Sequence, residues 1–591
     1  MTKHLITEKR FGAFFTTQFL GAFNDNLLKF AVTLAVTFND SLRGTYSPGL
    51  LVNLIAALFI LPFFLFSATS GQLADKYDKT QVMRMAKYLE PPIVILTTLG
   101  FVLNSVYILM AALFLLGTQA AFFGPAKYAY LPEQMQAREL VLANALVETA
   151  TFVAILLGTI AGGALMSHSS ASFAVYAVCG FAFCVALAGV WSSRQMPLTP
   201  SAQADLKVNW NFLTETWHNI RFARNLTQVW PYLLGISWLW FVGATYLTQF
   251  PLLTKVVLNA SPGVATFLLF LFTAGLGLGA FLCERWSHKR IEMGLVPWGL
   301  LMMALGGFAL HQALIDHQPA ARQVDLVQFF LDPVHLEMCF LFLVISVGVG
   351  LYSVPLYTAM QAYAPRISRS RVVSANNIVN AMFMVVSAIM SVGILWLTRG
   401  KVLWVFAAVT LFNLVILIAW CRRNSYLLLR ARLLLRVRAR QLQLVQGMED
   451  PPPQGGCLLV FPTLLHTDYL ARMSSVSMPF AVVLSGRLKS SRFVEWLRKK
   501  EFVFEFSKLS EDASQRQLIQ RIAKQIQAGQ SIAIDKPMFE LLRKQYKLDE
   551  LPLVLARKGV RMTVLEFFEE KTKMDGMNRV VLRLREESPP F

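Results

Sequence analysis

The side chains best suited to chemistry lie where a charge is energetically costly. Asp25 and Lys29 stand one helical turn apart inside the first apolar stretch, and Asn24 and Asn26 flank the carboxylate. A charged group at the centre of a membrane costs about 2.5–3.5 kcal/mol on insertion scales, so it usually faces a cavity or a partner. The i, i+4 spacing also allows a local ion pair. We therefore expect a polar ligand site here, with a purely structural Asp25–Lys29 pair as the alternative.

A second acid and several amides extend this candidate substrate site along the sequence. Glu148 lies inside a later apolar stretch, where a charge is equally costly. Glu90 stands directly before Pro91-Pro92, and we expect it at the membrane interface. The amides predicted to join the site are Asn144, Asn376 and Asn380.

Charge is shared unevenly along the apolar region. Its second half contains amides, Phe, Leu, Met and Trp, but no clear buried charge. A cavity with one polar wall and one apolar wall would suit an amphiphile better than a sugar or an inorganic ion. The alternative is that the apolar second half simply packs against itself or against lipid.

The elements that must position these residues are transmembrane helices. Of the 591 residues, 55% are hydrophobic and 15% are charged. The mean hydropathy is +0.50, and together these values exclude a soluble enzyme, a disordered protein and a fibrous protein. A span needs roughly 20 apolar residues. Twelve stretches qualify, at about 11–38, 50–70, 86–104, 106–124, 140–165, 173–191, 229–255, 263–283, 294–314, 336–361, 375–397 and 402–421.

The basic residues indicate how the chain is oriented. Twelve spans place both termini on one side, and segments assigned to that side carry 19 Lys and Arg, against 5 on the other side. Because short cytoplasmic loops are enriched in Lys and Arg, both termini are predicted to be cytoplasmic.

A repeat and a composition change predict the domain organisation. Short matches recur in the same order about 210–230 residues apart, as expected for two six-helix halves. We expect an all-α polytopic membrane region followed by a cytoplasmic α/β domain. The two six-helix halves are predicted at 1–195 and 229–424, with the loop between them at 196–228. A basic helix with its linker follows at 425–456, and the α/β domain at 457–591.

A charged loop signature follows the second span. It runs from Gly71 through Asp75, Lys76 and Asp78 to Lys79 and resembles the loop between helices 2 and 3 of the major facilitator superfamily. Glycine permits a tight helix end, and Asp75 can face the N-terminus of a neighbouring helix. A weaker second copy ends in Glu284-Arg285. We call this signature and its second copy the switch motif. It predicts contacts that form in one conformer and break in the other, with an ordinary charged loop as the alternative.

Four motifs together resemble the bacterial lysophospholipid transporter family. They are Thr17-Gln-Phe-Leu-Gly-Ala-Phe-Asn-Asp-Asn26, Gly71-Gln-Leu-Ala-Asp75, Pro125-Ala-Lys-Tyr128 and Ala143-Asn-Ala-Leu-Val-Glu148, the last followed by Ala154-Ile-Leu-Leu-Gly-Thr-Ile-Ala-Gly-Gly163. The resemblance runs through most of residues 11–421. It implies a 12-helix major facilitator fold in the bacterial inner membrane.

The resemblance also implies a substrate and further site residues. The family moves lysophosphatidylethanolamine and lysophosphatidylglycerol to the cytoplasmic leaflet. By position, Asp25 would be its essential acid, and Lys127 and Glu148 further functional polar residues. Where the family is expected to carry an arginine, this chain reads Thr248-Gln249-Phe250. Gln249 therefore joins the candidates, and a charged gate between the halves is in doubt.

The region after the spans is strongly basic. Residues 422–591 carry 30 Lys and Arg against 18 Asp and Glu, and residues 422–440 mix Arg with aliphatic side chains at helical spacing. That pattern predicts a helix lying on an anionic membrane surface rather than a nucleic-acid site, with a simple helical spacer as the alternative. Pro451–Gly456 then reads as a linker.

Residues 457–591 resemble the glycerophosphate acyltransferase (PlsC-like) fold. Four apolar runs alternate with helical stretches such as 512–528; these runs are 457–461, 480–484, 502–506 and 531–534. An active member has His and Asp separated by four intervening residues, but here Asp468 lies only two residues after His466, and the expected position is occupied by Ala471. The Phe-Pro-Glu-Gly turn is replaced by Ile534-Asp-Lys-Pro537. We expect a catalytically inactive domain that binds lipid, docks a partner enzyme or braces the transporter.

These features predict a lysophospholipid transporter that works by alternating access. The predicted partners are lysophospholipid, membrane lipids and a cytoplasmic acyltransferase or acyl-ACP synthetase. No nucleotide, metal or other cofactor is expected, since there is no phosphate-cradling loop and no His/Cys cluster. Two alternatives remain open, a membrane-bound acyltransferase with a transporter module and an exporter of drug-like amphiphiles with Asp25 as counter-ion. The sequence leaves open the driving force.

Overall fold

The computed structural model describes most of the membrane region and parts of the tail. The described residues are 2–46, 48–166, 171–227, 229–287, 291–423, 428–431, 444–446, 456–461, 480–485, 492–500, 503–506, 519–520, 522–525, 531–546, 562–574 and 577–584. They form two compact units, one ending at Ile418 and one that contains the tail.

Among these residues, twelve helices are long and apolar enough to cross a membrane, which confirms the predicted number. They are α1 (Lys9–Phe38), α2 (Pro48–Lys76), α3 (Lys79–Val102), α4 (Val106–Gln134), α5 (Ala137–Met166), α6 (Ala171–Arg194), α7 (Trp230–Leu252), α8 (Pro262–Ser287), α9 (Leu295–Ile315), α10 (Pro333–Tyr363), α11 (Arg369–Leu397) and α12 (Leu403–Arg423).

Several helices extend beyond the apolar stretches predicted from the sequence. The third was expected from residue 86, but α3 begins at Lys79, where the side chain of Asp78 accepts hydrogen bonds from the backbone N–H groups of Thr80 and Gln81. Pro91 and Pro92 lie inside α3 rather than at its end. Membrane helices tolerate proline because neighbouring groups can satisfy the freed carbonyls.

The helices run alternately up and down, so the N-terminal ends of odd-numbered helices share one side with the C-terminal ends of even-numbered ones. We call this the near side and the opposite one the far side. Helices α1–α6 form the first half and α7–α12 the second half. A helix absent from the prediction, Phe212–Asn225, lies in the loop between the halves.

Small residues let the helices of the first half approach closely. A Cβ built on Gly158 of α5 would lie 2.3 Å from the carbonyl oxygen of Phe23, and one on Gly162 would lie 2.7 Å from that of Leu27. Such backbone-to-backbone packing is the usual way in which membrane helices associate. It holds α1, which carries Asp25, firmly against α5.

The second half also contains close backbone contacts, such as that of Gly279 with the carbonyl oxygen of Val347, and in addition it is packed around aromatic rings. Tyr246 and Phe250 of α7 meet Phe272 of α8, Phe342 of α10 and Phe406 of α12, with ring centroids 5.1–6.3 Å apart. Offset and edge-to-face pairs at these distances add to the stability of a buried core. We call these five residues the aromatic cluster.

The tail contains a mainly parallel seven-stranded sheet. In chain order its strands are β1 (Leu444–Gln446), β2 (Gly456–Phe461), β3 (Phe480–Ser485), β4 (Val503–Phe506), β5 (Ser531–Asp535), β6 (Met562–Met574) and β7 (Met577–Leu584). The spatial order is β1-β7-β6-β2-β5-β3-β4, and only the β6–β7 pair is antiparallel. Two helices, α13 (Arg492–Lys499) and α14 (Lys536–Tyr546), accompany the strands.

The four predicted apolar runs of the tail are strands β2 to β5, whereas the long β6–β7 hairpin was not predicted. Asp535 caps α14 by accepting a hydrogen bond from the backbone N–H of Met538 at 2.9 Å. Burial raises the pKa of Asp535, and that bond opposes the rise. His466, Asp468 and most of the basic stretch 422–440 lie outside the described residues. The resemblance to acyltransferases remains a prediction.

Candidate functional site

A cavity of about 600 Å³ lies between the two halves of the membrane region. Its lining comes from α1 to α5 of the first half and from α7, α8 and α11 of the second. On α2, α5, α7 and α8 the lining residues lie in the middle and far-side parts, for example Ile55–Phe63 of α2 and Trp240–Pro251 of α7. On α3 and α4 the lining reaches further towards the near side, to Lys87 and Tyr128.

Every charged side chain in the lining belongs to the first half: Asp25, Lys29, Lys87 and Lys127. Asn26, Gln18 and Gln119 add further polar groups on the same side. Because charges in a membrane are costly unless they face a cavity or a partner, this wall is where a polar ligand group would be bound.

Asp25 offers an unused acceptor at the cavity. Its Oδ1 is buried and has no hydrogen-bond partner among the described residues. The alternative of a structural Asp25–Lys29 pair is not seen: Lys29 Nζ donates to Asn26 Oδ1 at 2.8 Å and lies 5.0 Å from the ring centroid of Phe59. A buried acceptor without a donor is unfavourable, so a cationic or hydrogen-donating ligand group would be stabilised here.

A buried ion pair beside Asp25 was missed by the sequence analysis. Lys87 Nζ donates to Glu90 Oε2 at 2.5 Å, and Asn24 Nδ2 donates to Glu90 Oε1 at 2.8 Å. Glu90 was expected at the membrane interface and at the start of a span, but it lies near the middle of α3 and only 1% of this residue is exposed. Pro91-Pro92 suggested a span boundary, but α3 continues through them.

The missing side chain of Gly21 makes room for this pair. A Cβ at that position would lie 2.4 Å from Lys87 Nζ, far inside contact distance. The ammonium group of Lys87 also lies 5.5 Å from the ring centroid of Phe123, which lines the cavity. A side chain at residue 21 would therefore have to displace the end of the Lys87 side chain from its position beside Glu90.

Lys127 and Glu148 belong to neighbouring networks of neutral partners. Lys127 Nζ donates to Thr151 Oγ1 at 3.3 Å. Glu148 lies behind the lining, where it accepts a hydrogen bond from Tyr128 OH at 2.7 Å. The ring of Tyr128 stacks on that of Tyr357 in the second half, at 5.0 Å between centroids. Glu148 is therefore linked to the opposite half through one aromatic pair.

The second half contributes a largely apolar wall. Trp240, Leu247, Pro251, Leu269 and Met384 line it. Trp240 Nε1 donates to Tyr357 OH at 2.8 Å, which fixes the indole ring at the cavity surface. The amide of Asn380 also lines the cavity and lies 2.7 Å from Ser237 Oγ. This wall suits hydrocarbon rather than charge.

The structure brings half of the predicted substrate-binding residues to the cavity. Asp25, Asn26, Lys29, Lys127 and Asn380 line it. The other five lie elsewhere. Asn24 and Glu148 stand behind the polar wall, Asn376 is fully buried, and Gln249 is buried with Oε1 unpaired among the described residues. Asn144 belongs to the near-side contacts.

On the near side, two amides join the halves. Asn144 Nδ2 donates to Gln361 Oε1 at 2.9 Å, and Gln361 Nε2 donates back to Asn144 Oδ1 at 2.8 Å. Both residues are fully buried. We call this reciprocal pair the amide clasp. It links α5 of the first half to α10 of the second.

Asp75 makes a second, charged contact between the halves. Its carboxylate accepts hydrogen bonds from the backbone N–H groups of Ser370 and Arg371, at 3.0 and 3.3 Å, and from Arg371 Nε at 3.3 Å. A carboxylate at the N-terminus of α11 is favoured by the helix dipole and by unpaired N–H groups. Gly71 lies against the same helix, since its Cβ would be 2.5 Å from Ser374 Oγ.

The remaining residues of the predicted switch motif stay within one half. Lys76 lies over the ring of Tyr77. Asp78 caps α3 and also accepts a hydrogen bond from the backbone N–H of Thr199 at 3.0 Å. Lys79 forms an ion pair with Glu133 at 2.8 Å. In the second copy, Glu284 is half-buried and Arg285 exposed. Among the described residues, neither side chain forms an ion pair between the halves.

Metal chemistry finds no support in the described part of the chain. Its His, Cys, Asp and Glu side chains form no group of three or more that could hold a metal ion. The charged groups at the cavity are instead suited to binding an ionic ligand directly.

Comparisons with known proteins agree with this architecture. Residues 14–388 match the family model described as Major Facilitator Superfamily. The transporter FucP in its outward conformation superposes with a TM-score of 0.53 at 12% identity, over 70% of this chain and 98% of that one. The human organic anion transporter MFSD10 superposes with a TM-score of 0.52 at 14% identity, over 68% of this chain and 99% of that one. These likenesses concern the fold alone.

Closer relatives carry a more specific name. The chain is 32% identical to "Lysophospholipid transporter LplT" of Serratia proteamaculans over 308 residues, which are 51% of this chain and 72% of the relative. It is 31% identical to the protein of the same name from Klebsiella pneumoniae, over 50% of this chain and 72% of the relative. The protein is thus a multi-pass membrane transporter rather than an enzyme. The chain belongs to the major facilitator superfamily and, within it, to the family of the lysophospholipid transporter LplT.

Proposed function

We propose that the protein moves lysophospholipids from the outer to the cytoplasmic leaflet of the bacterial inner membrane. The observation that carries this proposal is the division of the cavity, with every charged lining residue in the first half and an apolar wall in the second. A lysophospholipid has the same division, since a charged headgroup is joined to one hydrocarbon chain.

A zwitterionic headgroup fits the unused groups of the polar wall. The unpaired Oδ1 of Asp25 could accept a hydrogen bond from an ammonium group. Lys29 and Lys127 donate only to the neutral oxygens of Asn26 and Thr151 in the hydrogen bonds described, so each could donate to a phosphate instead. Charge-assisted bonds of this kind are roughly twice as strong as neutral ones.

The apolar wall would receive the acyl chain. Phe59, Ile60 and Phe63 in the middle of α2 add apolar lining from the first half, and Leu247 and Met384 add it from the second. Burying apolar surface contributes roughly 25 cal/mol per Å², so a hydrocarbon chain along these residues would add substantially to affinity.

The basic residues and the near-side contacts support the direction of transport. The 19 near-side basic residues include Lys87 and Lys127, which lie in the cavity wall. Without these two, 17 Lys and Arg on the near side stand against 5 on the far side. That excess still supports a cytoplasmic near side. With the amide clasp and Asp75 holding this side together, the cavity would load from the outer leaflet and release after the halves rock.

We propose that the tail serves the transported lipid without catalysing a reaction. The seven-stranded sheet is compatible with the predicted acyltransferase-like fold. A cytoplasmic acyltransferase or acyl-ACP synthetase is the partner that this assignment implies, since a flipped lysophospholipid would need re-acylation.

Uptake of labelled lysophosphatidylethanolamine into vesicles containing the full chain tests the transport proposal. Asp25→Asn should insert normally but lose most transport, about 10- to 100-fold, because one charge-assisted bond of about 1.5–3 kcal/mol is lost. Asp316→Asn is the matched control, since Asp316 is exposed and lies outside the cavity lining. Full transport by Asp25→Asn, or equal losses in both variants, would contradict the proposal.

A drug-like organic cation is the alternative cargo, with Asp25 as counter-ion. The three lysines of the lining disfavour it, because they outnumber the one acid that faces the cavity. Competition separates the two: glycerophosphoethanolamine should reduce uptake of labelled lysophospholipid, whereas a lipophilic cation should not. The reverse pattern would favour the cation exporter.

A further inference from the structure

The loop between the halves contains an amphipathic helix with one unoccupied face. In the helix Phe212–Asn225, the residues Glu215, Thr216, Asn219 and Ala223 are buried. The opposite face exposes Leu213 and Trp217 by 60% and 67%, and Trp210 just before the helix by 71%. Side chains at i, i+4, i+8 and i+11 share one helical face, so Leu213, Trp217, Arg221 and Arg224 form a single exposed stripe.

The buried face fixes this helix to both halves of the transporter. Thr216 Oγ1 donates to the carbonyl oxygen of Phe64 in α2 at 3.2 Å. Asn219 Nδ2 donates to the carbonyl oxygen of Arg371 at 3.0 Å and to Ser374 Oγ at 2.5 Å, both in α11. The helix therefore spans the same junction as the Asp75 contact.

These contacts also place the two ends of the stripe at different depths. The N-terminal part of the helix Phe212–Asn225 packs beside Phe64 and Phe66, and the ring centroids of Phe212 and Phe66 are 5.7 Å apart. Phe64 lies twelve residues before the end of α2, or about 18 Å along the helix axis. The later turns of the helix Phe212–Asn225 lie beside Arg371, at the start of α11. The apolar end of the stripe is thus the deeper one, and the basic end lies towards the aqueous phase.

The charge of the exposed surface selects one kind of partner. From residue 206 to residue 225 the exposed charged residues are Lys207, Arg221 and Arg224, and the acid Glu215 is buried beneath Asn209. Tryptophan at the membrane interface and arginine at the headgroups form the usual pattern of an interfacial helix. The stripe also continues the lipid-facing surface of α2, where Phe64 is 36% exposed.

We propose that the helix Phe212–Asn225 is a membrane anchor that binds the near-side leaflet of an anionic phospholipid bilayer. Trp210, Leu213 and Trp217 lie at the boundary of the acyl chains, and Arg221 and Arg224 contact anionic headgroups. Because the same helix contacts α2 and α11, the lipid surface gains a direct attachment to the junction between the halves. This inference does not depend on the identity of the transported substrate.

Depth-resolved fluorescence of the full chain tests the anchor. Trp217→Cys is introduced after the six native cysteines have been replaced by serine, labelled with an environment-sensitive dye, and reconstituted into vesicles of phosphatidylcholine and phosphatidylglycerol. Interfacial helices lie about 5–10 Å into the headgroup and acyl boundary, so a shallow spin-labelled lipid should quench the dye about twofold more than a deep one. Phe281→Cys on α8 is the lipid-exposed reference, and Asp205→Cys is the aqueous one.

Two further measurements keep the proposal open to refutation. Arg221→Gln with Arg224→Gln should remove the dependence of the Trp217 signal on phosphatidylglycerol, whereas the corresponding Lys substitutions should retain it. If the cysteine-free protein does not fold, brominated lipids should quench the native tryptophans less in Trp210→Phe/Trp217→Phe than in the unmodified chain. A dye at residue 217 that behaves like Asp205→Cys, or unchanged quenching by brominated lipid, would overturn the anchor and point to a protein partner.

Discussion

The two halves of the membrane region share a fold but differ in chemistry. The first half supplies Asp25, Lys29, Lys87 and Lys127 to the cavity, together with the buried acids Glu90 and Glu148 behind it. The second half supplies one indole ring, aliphatic side chains and a few amides. A repeated six-helix architecture therefore does not imply a repeated site, and if the proposed substrate is correct, recognition of its headgroup should reside in one half.

The loops show the same asymmetry. Asp75 of the first half reaches across to the N-terminus of α11, whereas Glu284, at the equivalent position of the second half, makes no such described contact. One copy of the switch motif thus contributes a charged contact between the halves, and the other copy does not. The following predictions test this division of roles, beginning with the largest expected effect.

Breaking the Lys87–Glu90 pair should destabilise the protein most. Glu90→Gln removes the anionic partner of a buried lysine, and such a change typically costs about 3–5 kcal/mol. The double change Lys87→Met/Glu90→Leu should recover most of the stability, because no buried charge is left unpaired, yet it should still impair transport. Thermal unfolding of the purified full chain measures the first effect, and lysophospholipid uptake the second.

Glu337→Gln in the second half is the matched control for Glu90→Gln. Glu337 is exposed, so its neutralisation should change the free energy of unfolding by less than about 0.5 kcal/mol. Equal destabilisation by the two substitutions would show that the Lys87–Glu90 pair has no special role.

Asp75→Asn should shift the balance between conformers. It weakens bonds to two backbone N–H groups and to Arg371, and hydrogen bonds to a charged group contribute about 1.5–3 kcal/mol. The population with separated near-side ends should then rise about tenfold or more. Spin labels on the exposed residues Tyr77 and Ile367 would report it as a longer distance.

Two acidic residues serve as controls for Asp75. Asp78→Ala removes the cap of α3 and should cost about 1 kcal/mol of stability without changing the distance between the halves. Glu284→Gln should change neither quantity. A shift of the conformer balance in Glu284→Gln as large as that in Asp75→Asn would refute the asymmetry of the two motif copies.

Gly21 and Gly243 provide the most direct comparison of the two halves. They occupy matching positions in α1 and α7, but a Cβ on Gly21 would lie 2.4 Å from Lys87 Nζ, whereas one on Gly243 would meet nothing within 4 Å. Gly21→Ala should therefore destabilise the protein by about 1–3 kcal/mol and reduce transport. Gly243→Ala should be neutral or stabilise by about 0.5–1 kcal/mol, because helical glycine is entropically unfavourable. Thermal unfolding and uptake measure both variants, and equal effects would refute the prediction.

Trp240→Phe should have the smallest effect and should not discriminate between headgroups. It removes one hydrogen bond to Tyr357, a contribution of about 0.5–1.5 kcal/mol. The apparent KM should rise by a similar factor for lysophosphatidylethanolamine and lysophosphatidylglycerol, because in the proposed binding mode this wall contacts the chain rather than the headgroup. A change confined to one of the two lipids would place headgroup recognition in the second half as well.

The sequence predicted the elements better than the contacts. Twelve spans follow from hydropathy, because each apolar stretch is long enough to require a helix in lipid. Which partner a buried charge selects depends on the neighbouring helices, so the spacing of Asp25 and Lys29 left their pairing open, and Lys29 bonds to Asn26. Glu90 was misplaced because Pro91-Pro92 suggested a boundary, and Lys87 was counted with the loops. The i, i+3 spacing of Lys87 and Glu90 was the available signal.

The loop helix was missed for a related reason. Its hydrophobic face is short and interrupted by basic residues, so that hydropathy over a full span does not detect it. Leu213, Trp217 and Arg221, spaced four residues apart, were the signal that a search for shorter amphipathic helices would have found.

The aromatic cluster gives four helices of the second half a shared mechanical property. Five interlocked rings leave little room for one of these helices to slide against another, so α7, α8, α10 and α12 should move together as a rigid lever. Small displacements of α7 and α8 at the cavity wall would then be transmitted to the near-side end of α10. During the transport cycle, distances among these four helices should stay constant while distances to the first half change.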